Sequence, residues 1–126
     1  MRVFSGKSIC AADYIDEIAA GRRSEATFTA WMRDRDALLT PTLPIAATPL
    51  ADVDENATPL ATFTRAANYL GACALSLPAG RGSEGLPFGV QLIGAPFTDA
   101  KLLRLGRAVQ HATAWHLERP DLSAWA

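Results

Sequence analysis

Two short apolar runs separated by a glycine-rich connector constrain this chain more than any other feature. Cys73-Ala74-Leu75-Ser76-Leu77 is nearly continuous apolar sequence ended by Pro78, and Phe88 to Ile93 is a second such run. Runs of this length without alternation read as strands buried on both faces. The connector between them, AGRGSEGLP (79–87), is long enough to turn the chain back, so the two runs are expected to pair as neighbouring strands. A third short run, Ala37-Leu38-Leu39-Thr40, is cut by Pro41, which suits a strand stopped where the ladder loses a donor.

Helical periodicity supplies the covers. From Ser8, the positions Ala11, Tyr14, Ile15 and Ile18 fall on one side of a helix with Gly21 placed to end it. A second helix is read from Ser24, with Phe28, Trp31 and Met32 on one side and Arg33, Asp34 and Arg35 in solvent. Phe63, Ala66, Ala67 and Leu70 recur at helical spacing before Gly71, which predicts a short helix over 62–70. The last helix starts at Thr98 or Asp99, with Leu102, Leu105, Val109 and Ala112 on one side and Lys101, Arg104, Arg107 and His111 on the other. The expected architecture is α/β, about three strands flanked by about four helices, with the tail WHLERPDLSAWA lying over the surface.

Residues 41–61 hold four prolines and no sustained period, so they are read as one long irregular loop. A loop of that length has a function or packs against something larger. The whole of 1–126 is read as a single segment, because 126 residues with 49% apolar side chains can bury one core and little more.

Charge excludes some partners. Twelve basic against thirteen acidic side chains leave a formal charge of −1, which gives no footprint for nucleic acid or an anionic membrane. No apolar run approaches the roughly 18 residues of a membrane span, and the first ten residues lack a signal peptide's apolar block, so the expectation is a soluble cytoplasmic chain. Cys10 and Cys73, far apart and in no metal-binding pattern, read as small buried apolar residues.

The sequence offers several motifs that fail on inspection. GRGSEG (80–85) has the spacing of a dinucleotide fingerprint, but Leu86-Pro87-Phe88 opens a strand where a helix is needed, and no acidic residue follows at the required distance. The glycines then serve a strand connection. Ser83 would need glycine at position 81, occupied by Arg81, to form a nucleophile elbow. Ser76 reads as a small residue spaced for packing. Asp52, Asp54 and Asn56 open like a calcium loop, yet Ala57 and Phe63 stand where glycine and a bidentate glutamate belong. His111 and His116 are explained by the end of the last helix. No metal and no cofactor is expected. Gln91 is the polar exception in its strand, and a buried amide needs partners.

Four blocks in order change the picture: DALLTPTLP (36–44), FTRAANYLG (63–71), ALSLPAG (74–80) and GLPFGVQLIG (85–94). Together they closely resemble the C-terminal part of the amidase signature family, from about Ser8 to His111. The resemblance implies a fold of several hundred residues, a mixed sheet covered by helices, and amide hydrolysis or transfer through an acyl-enzyme on a serine. The family's Ser-cis-Ser-Lys triad and oxyanion hole lie upstream of the matching region, and nothing in these 126 residues matches them. No catalytic residue is therefore assigned, and the chain alone is expected to be inactive. Its implied partners are a small amide substrate and either the missing N-terminal part or a second copy.

By the same resemblance, Phe63, Thr64 and Asn68 are the expected substrate-wall residues. The A subunits of glutamyl-tRNA amidotransferases carry an aspartate three residues before the corresponding threonine, and here that residue is Ala61, so a glutamine-specific pocket is disfavoured. The alternatives left open are a protein like those A subunits and an independent, non-catalytic interaction module.

Overall fold

The computed structural model describes residues 6–54, 57 and 59–123. Three strands form one antiparallel sheet in the order β1-β3-β2, with β1 Leu38–Pro41, β2 Cys73–Arg81 and β3 Pro87–Gly94. The expected pairing of the two long apolar runs is present, and the third run pairs with the other side of β3. Three α-helices are described, α1 Ala11–Trp31, α2 Thr64–Tyr69 and α3 Asp99–Ala112, with short 3-10 turns between them.

Strand register assigns the two faces of the sheet. Leu75 and Leu77 sit opposite Leu92 and Val90, and these side chains form the core with Leu102, Leu105 and Val109 of α3. Leu102 is only 2% exposed. The apolar stripe read from the sequence of α3 is therefore the packed one as far as Val109, whereas Ala112 is exposed. Gly106 lets α3 approach closely, since a Cβ there would meet Leu75 Cδ2 at 2.6 Å. The opposite face carries Ala74, Ser76, Gln91, Ile93, Leu38 and Thr40, and α2 approaches it from the β2 side, with Ala67 buried.

Several sequence expectations are corrected. Gly21 does not end a helix, and the two helices read from Ser8 and Ser24 are one 21-residue helix. Interior glycine lowers helix stability by about 1 kcal/mol but forces no stop. Here it faces Tyr69, whose hydroxyl lies 3.8 Å and whose ring lies 3.9 Å from where a Cβ would be. Nor does Pro78 end β2, which continues to Arg81 through a register irregularity between Pro78 and Gly80. Within these three strands β2 is at an edge, where a proline without an N–H is tolerated.

The expected two-sided burial holds for β3 from Gln91 to Gly94, but in β2 only Leu77 and Gly80 are buried. Cys10 is exposed and caps α1, its Sγ accepting from Asp13 N at 3.4 Å. Half-buried Cys73 donates to the Ala95 carbonyl at 3.1 Å. Thr98 takes the N-cap position of α3 without capping it, because its hydroxyl donates to Ala95 O at 2.7 Å.

Candidate functional site

The GRGSEG connector is a hairpin. Gly80 (φ 151°) and Gly85 (φ 77°) supply the positive φ values, and the chain passes directly into β3 with no helix following. The phosphate-cradle reading thus lacks its structural basis. Arg81 Nε pairs with Glu118 at 2.7 Å and its Nη1 donates to Gly85 O at 2.9 Å, tying the hairpin to the C-terminal tail.

Polar groups gather on the sheet face opposite α3. Thr40, Gln91 and Ser76 are direct register partners, so they form one row across all three strands. Gln91 is 3% exposed, and its amide is satisfied: Nε2 donates to Thr40 Oγ1 and to the Phe63 carbonyl, each at 3.1 Å. The partner demanded by a buried amide includes loop backbone, at the residue where α2 begins. Gln91 therefore links the sheet to the segment holding the expected wall residues.

Those residues separate. Phe63 is half-buried and lines a cleft of about 580 Å³. Thr64 is half-buried and starts α2, while Asn68 lies one turn later and is exposed; neither lines that cleft. Nor does half-buried Ala61, whose carbonyl accepts from Arg65 N at 3.1 Å.

The cleft runs between the 41–47 loop and the hairpin. Its walls include Leu43, Ile45, Phe63, Leu86 and Phe88. Its polar floor is a hydroxyl pair, Thr42 Oγ1 and Ser76 Oγ at 2.7 Å. Gly89 lies beneath them, and a Cβ there would meet Thr42 Oγ1 at 3.1 Å and Ser76 Oγ at 3.3 Å. Ser76 is exposed at this floor, so its reading as a packing spacer is corrected. The signal was present: Ser76 and Gln91 are polar exceptions in adjacent apolar strands, and the register puts them on one face.

Other candidates do not join this site. Arg107 Nε donates to His111 at 3.2 Å on α3, and His116 sits in a 3-10 turn at Trp115–Leu117. Asn56 lies outside the described residues. Among the described residues no group of three or more His, Cys, Asp or Glu side chains could hold a metal, and no helix is long and apolar enough to cross a membrane.

Comparison with known proteins gives this arrangement its context. The sequence profile of the family described as Amidase matches residues 3–103. The chain belongs to the amidase family. The A subunit of a glutamyl-tRNA(Gln) amidotransferase from Chloroflexus aggregans is 40% identical over 97% of the chain and 26% of the relative. Among solved structures, one described as an amidase superposes with a TM-score of 0.75 at 29% identity, covering 86% of this chain and 27% of that one. The glutamyl-tRNA(Gln) amidotransferase A subunit of Thermotoga maritima gives a TM-score of 0.71 at 30% identity, covering 89% and 26%. This amidase chain thus spans about a quarter of the length of the proteins it matches. The α/β expectation is borne out, and so is the family. Similarity to the amidotransferase subunits is substantial despite the alanine at position 61.

Proposed function

We propose that this chain is the C-terminal portion of a serine-dependent amidase that hydrolyses carbon–nitrogen amide bonds through an acyl-enzyme. In that role it contributes sheet strands and one wall of the substrate pocket, with Phe63, Thr64 and Asn68 on that wall. Membership of the amidase family, at about a quarter of its relatives' length, is the observation that carries this reading. By itself the chain is inactive, because its 126 residues match neither the family's triad nor its oxyanion donors, and without these the acyl transfer has no nucleophile, base or charge stabilisation.

Exposed apolar surface supports a role within something larger. All 21 residues of α1 escape burial, although the helix carries Tyr14 (62% exposed), Ile15 (64%) and Trp31 (43%). A helix with apolar residues left in water on this scale is built to be covered. The cover is the N-terminal part of the same amidase, or a second copy where that part is absent.

A second reading, an A-type subunit of a glutamyl-tRNA amidotransferase, is favoured by the 40% identity to such subunits and opposed by Ala61. A chimera separates the two. This chain replaces the matching quarter of the structurally similar amidase, and the product is assayed on simple carboxamides and on glutamine. Hydrolysis of the carboxamides is expected, with glutamine a poor substrate. A folded chimera that hydrolyses neither would contradict the amidase reading, and one that prefers glutamine would favour the second.

A further inference from the structure

We infer that the pocket between the β2–β3 hairpin and the C-terminal tail binds a small aryl carboxylate, with its acid group between Arg81 and Arg119 and its ring against Trp115. The inference goes beyond the amidase reading and does not depend on it.

The pocket encloses about 380 Å³, within the range of small-molecule sites. It shares only Pro87 with the lining of the larger cleft. Its charge is unbalanced: Arg81, Arg119 and His116 line it against a single carboxylate, Glu118. Asp121, further along the tail, does not line it, and its carboxylate accepts from Ser123 N at 2.9 Å. Two guanidinium groups outweigh one carboxylate even with His116 neutral, so the ligand this pocket attracts is an anion.

Both arginines are anchored where they stand. Arg119 Nη1 donates to two carbonyl oxygens of its own turn, His116 O at 3.0 Å and Glu118 O at 2.9 Å. Among the described residues no carboxylate pairs with Arg119, and its Nε and Nη2 make no hydrogen bond. Those two nitrogens are the adjacent donors that receive both oxygens of a carboxylate. Arg81 is fixed through Nε to Glu118 at 2.7 Å and through Nη1 to Gly85 O at 2.9 Å, which leaves its Nη2 for a ligand. A guanidinium already held by the chain loses less entropy on binding than one moving freely in solvent. The wall is also incomplete by itself. His116 Nδ1 is the only buried side-chain nitrogen or oxygen among the described residues without a hydrogen-bond partner.

The rest of the pocket is apolar and stiff. Pro78, Pro87 and Pro120 contribute rigid rings, and Trp115, 37% exposed, offers part of its indole. An aromatic ring packs on such a surface and an inorganic anion does not, so the class is an aryl acid.

The 15N-labelled chain is titrated with benzoate, with benzamide and benzylammonium as compounds of the same ring, and with inorganic phosphate as charge without a ring. The Trp115 indole and the Arg81 and Arg119 Nε resonances report the pocket. Benzoate should shift them saturably, bind about fivefold or more tighter than each of the other three, and weaken as salt is raised. Arg119→Gln should weaken benzoate binding about tenfold, the worth of a charge-assisted hydrogen bond, and Trp115→Leu about threefold. Glu118→Gln should tighten it about twofold, because the amide oxygen still accepts from Arg81 while the competing negative charge is gone. A purely structural ion pair gives the opposite sign. Equal binding of benzamide or phosphate, or benzoate shifts unchanged in Arg119→Gln, would overturn the inference.

Calorimetry on the folded chimera covers an isolated chain that does not fold. Heat of benzoate binding is expected, and its loss in the Arg119→Gln chimera; no heat, or heat unchanged by that substitution, overturns the assignment. Whether the chimera hydrolyses amides decides only the amidase reading, since benzoate binding is read without turnover.

Discussion

Gln91 shows at the scale of one residue what was legible and what was not. Its place in an apolar strand demanded hydrogen-bond partners, and the partners are Thr40 and the Phe63 carbonyl. Their identity lay outside local sequence, because they come from a strand 51 positions away and a loop 28 positions away. Replacing it with methionine, of similar length but unable to donate, removes both hydrogen bonds of the Gln91 amide, to Thr40 Oγ1 and to the Phe63 carbonyl. Gln91→Met should cost about 2–3 kcal/mol in chemical denaturation; a loss below about 0.5 kcal/mol would show that water or relaxation replaces both bonds. At Gly85 only the backbone matters, since φ is 77° and nothing lies within 4 Å of where a Cβ would stand. Gly85→Val should destabilise by about 1–3 kcal/mol through that φ, whereas Ser83→Ala and Glu84→Ala at the exposed hairpin tip should stay within about 0.5 kcal/mol. The Thr42–Ser76 pair was not legible, because a hydroxyl's neighbour across a sheet depends on register, which composition does not set.

Among the elements, the strands were legible as short apolar runs and the last helix as a helical period, although the two-sided burial expected of β2 is absent. Both boundary errors came from residues that punctuate in one context and not in another. Gly21 sits inside α1 with Tyr69 against it, and Pro78 sits inside β2 at an edge position. The helical role of Gly21 makes a prediction of opposite sign to a stop. A Cβ there would find only ordinary contact with Tyr69, at 3.8 Å, so Gly21→Ala should stabilise α1 by up to about 1 kcal/mol, seen as a higher Tm. Had the residue ended a helix in a left-handed conformation, the same substitution would lower it. Gly106 in α3 is the contrasting case, because a Cβ would meet Leu75 Cδ2 at 2.6 Å with Leu77 behind it. Gly106→Val should therefore push α3 from the sheet and cost about 1–3 kcal/mol, measured as loss of stability with helix content retained.

Over the whole molecule, the chain's exposed apolar surface and its quarter-length match agree. Leu39 on the α3 side of β1 is 62% exposed, α1 buries no residue, and β2 keeps most of one face open. The pairing of β2 with β3 followed from the sequence because those two apolar runs are close together in the chain, whereas the place of β1 beside β3 did not. What covers α1 and the outer side of β2 did not follow, since an apolar residue announces that it will be buried without saying against what. The isolated chain should self-associate, giving a mass in sedimentation that rises with concentration; a monomer with a sharp, concentration-independent thermal transition would show that this surface is tolerated in water.

The most direct measurement is a three-way rate comparison on one neutral carboxamide: this chain alone, the N-terminal three quarters of the matched amidase alone, and the two joined as the chimera. Neither part alone should hydrolyse the amide above buffer, and the joined protein should. Hydrolysis by the isolated chain, lost on mutating one of its own residues, would contradict a wall-and-scaffold role, as would a folded chimera no faster than its parts.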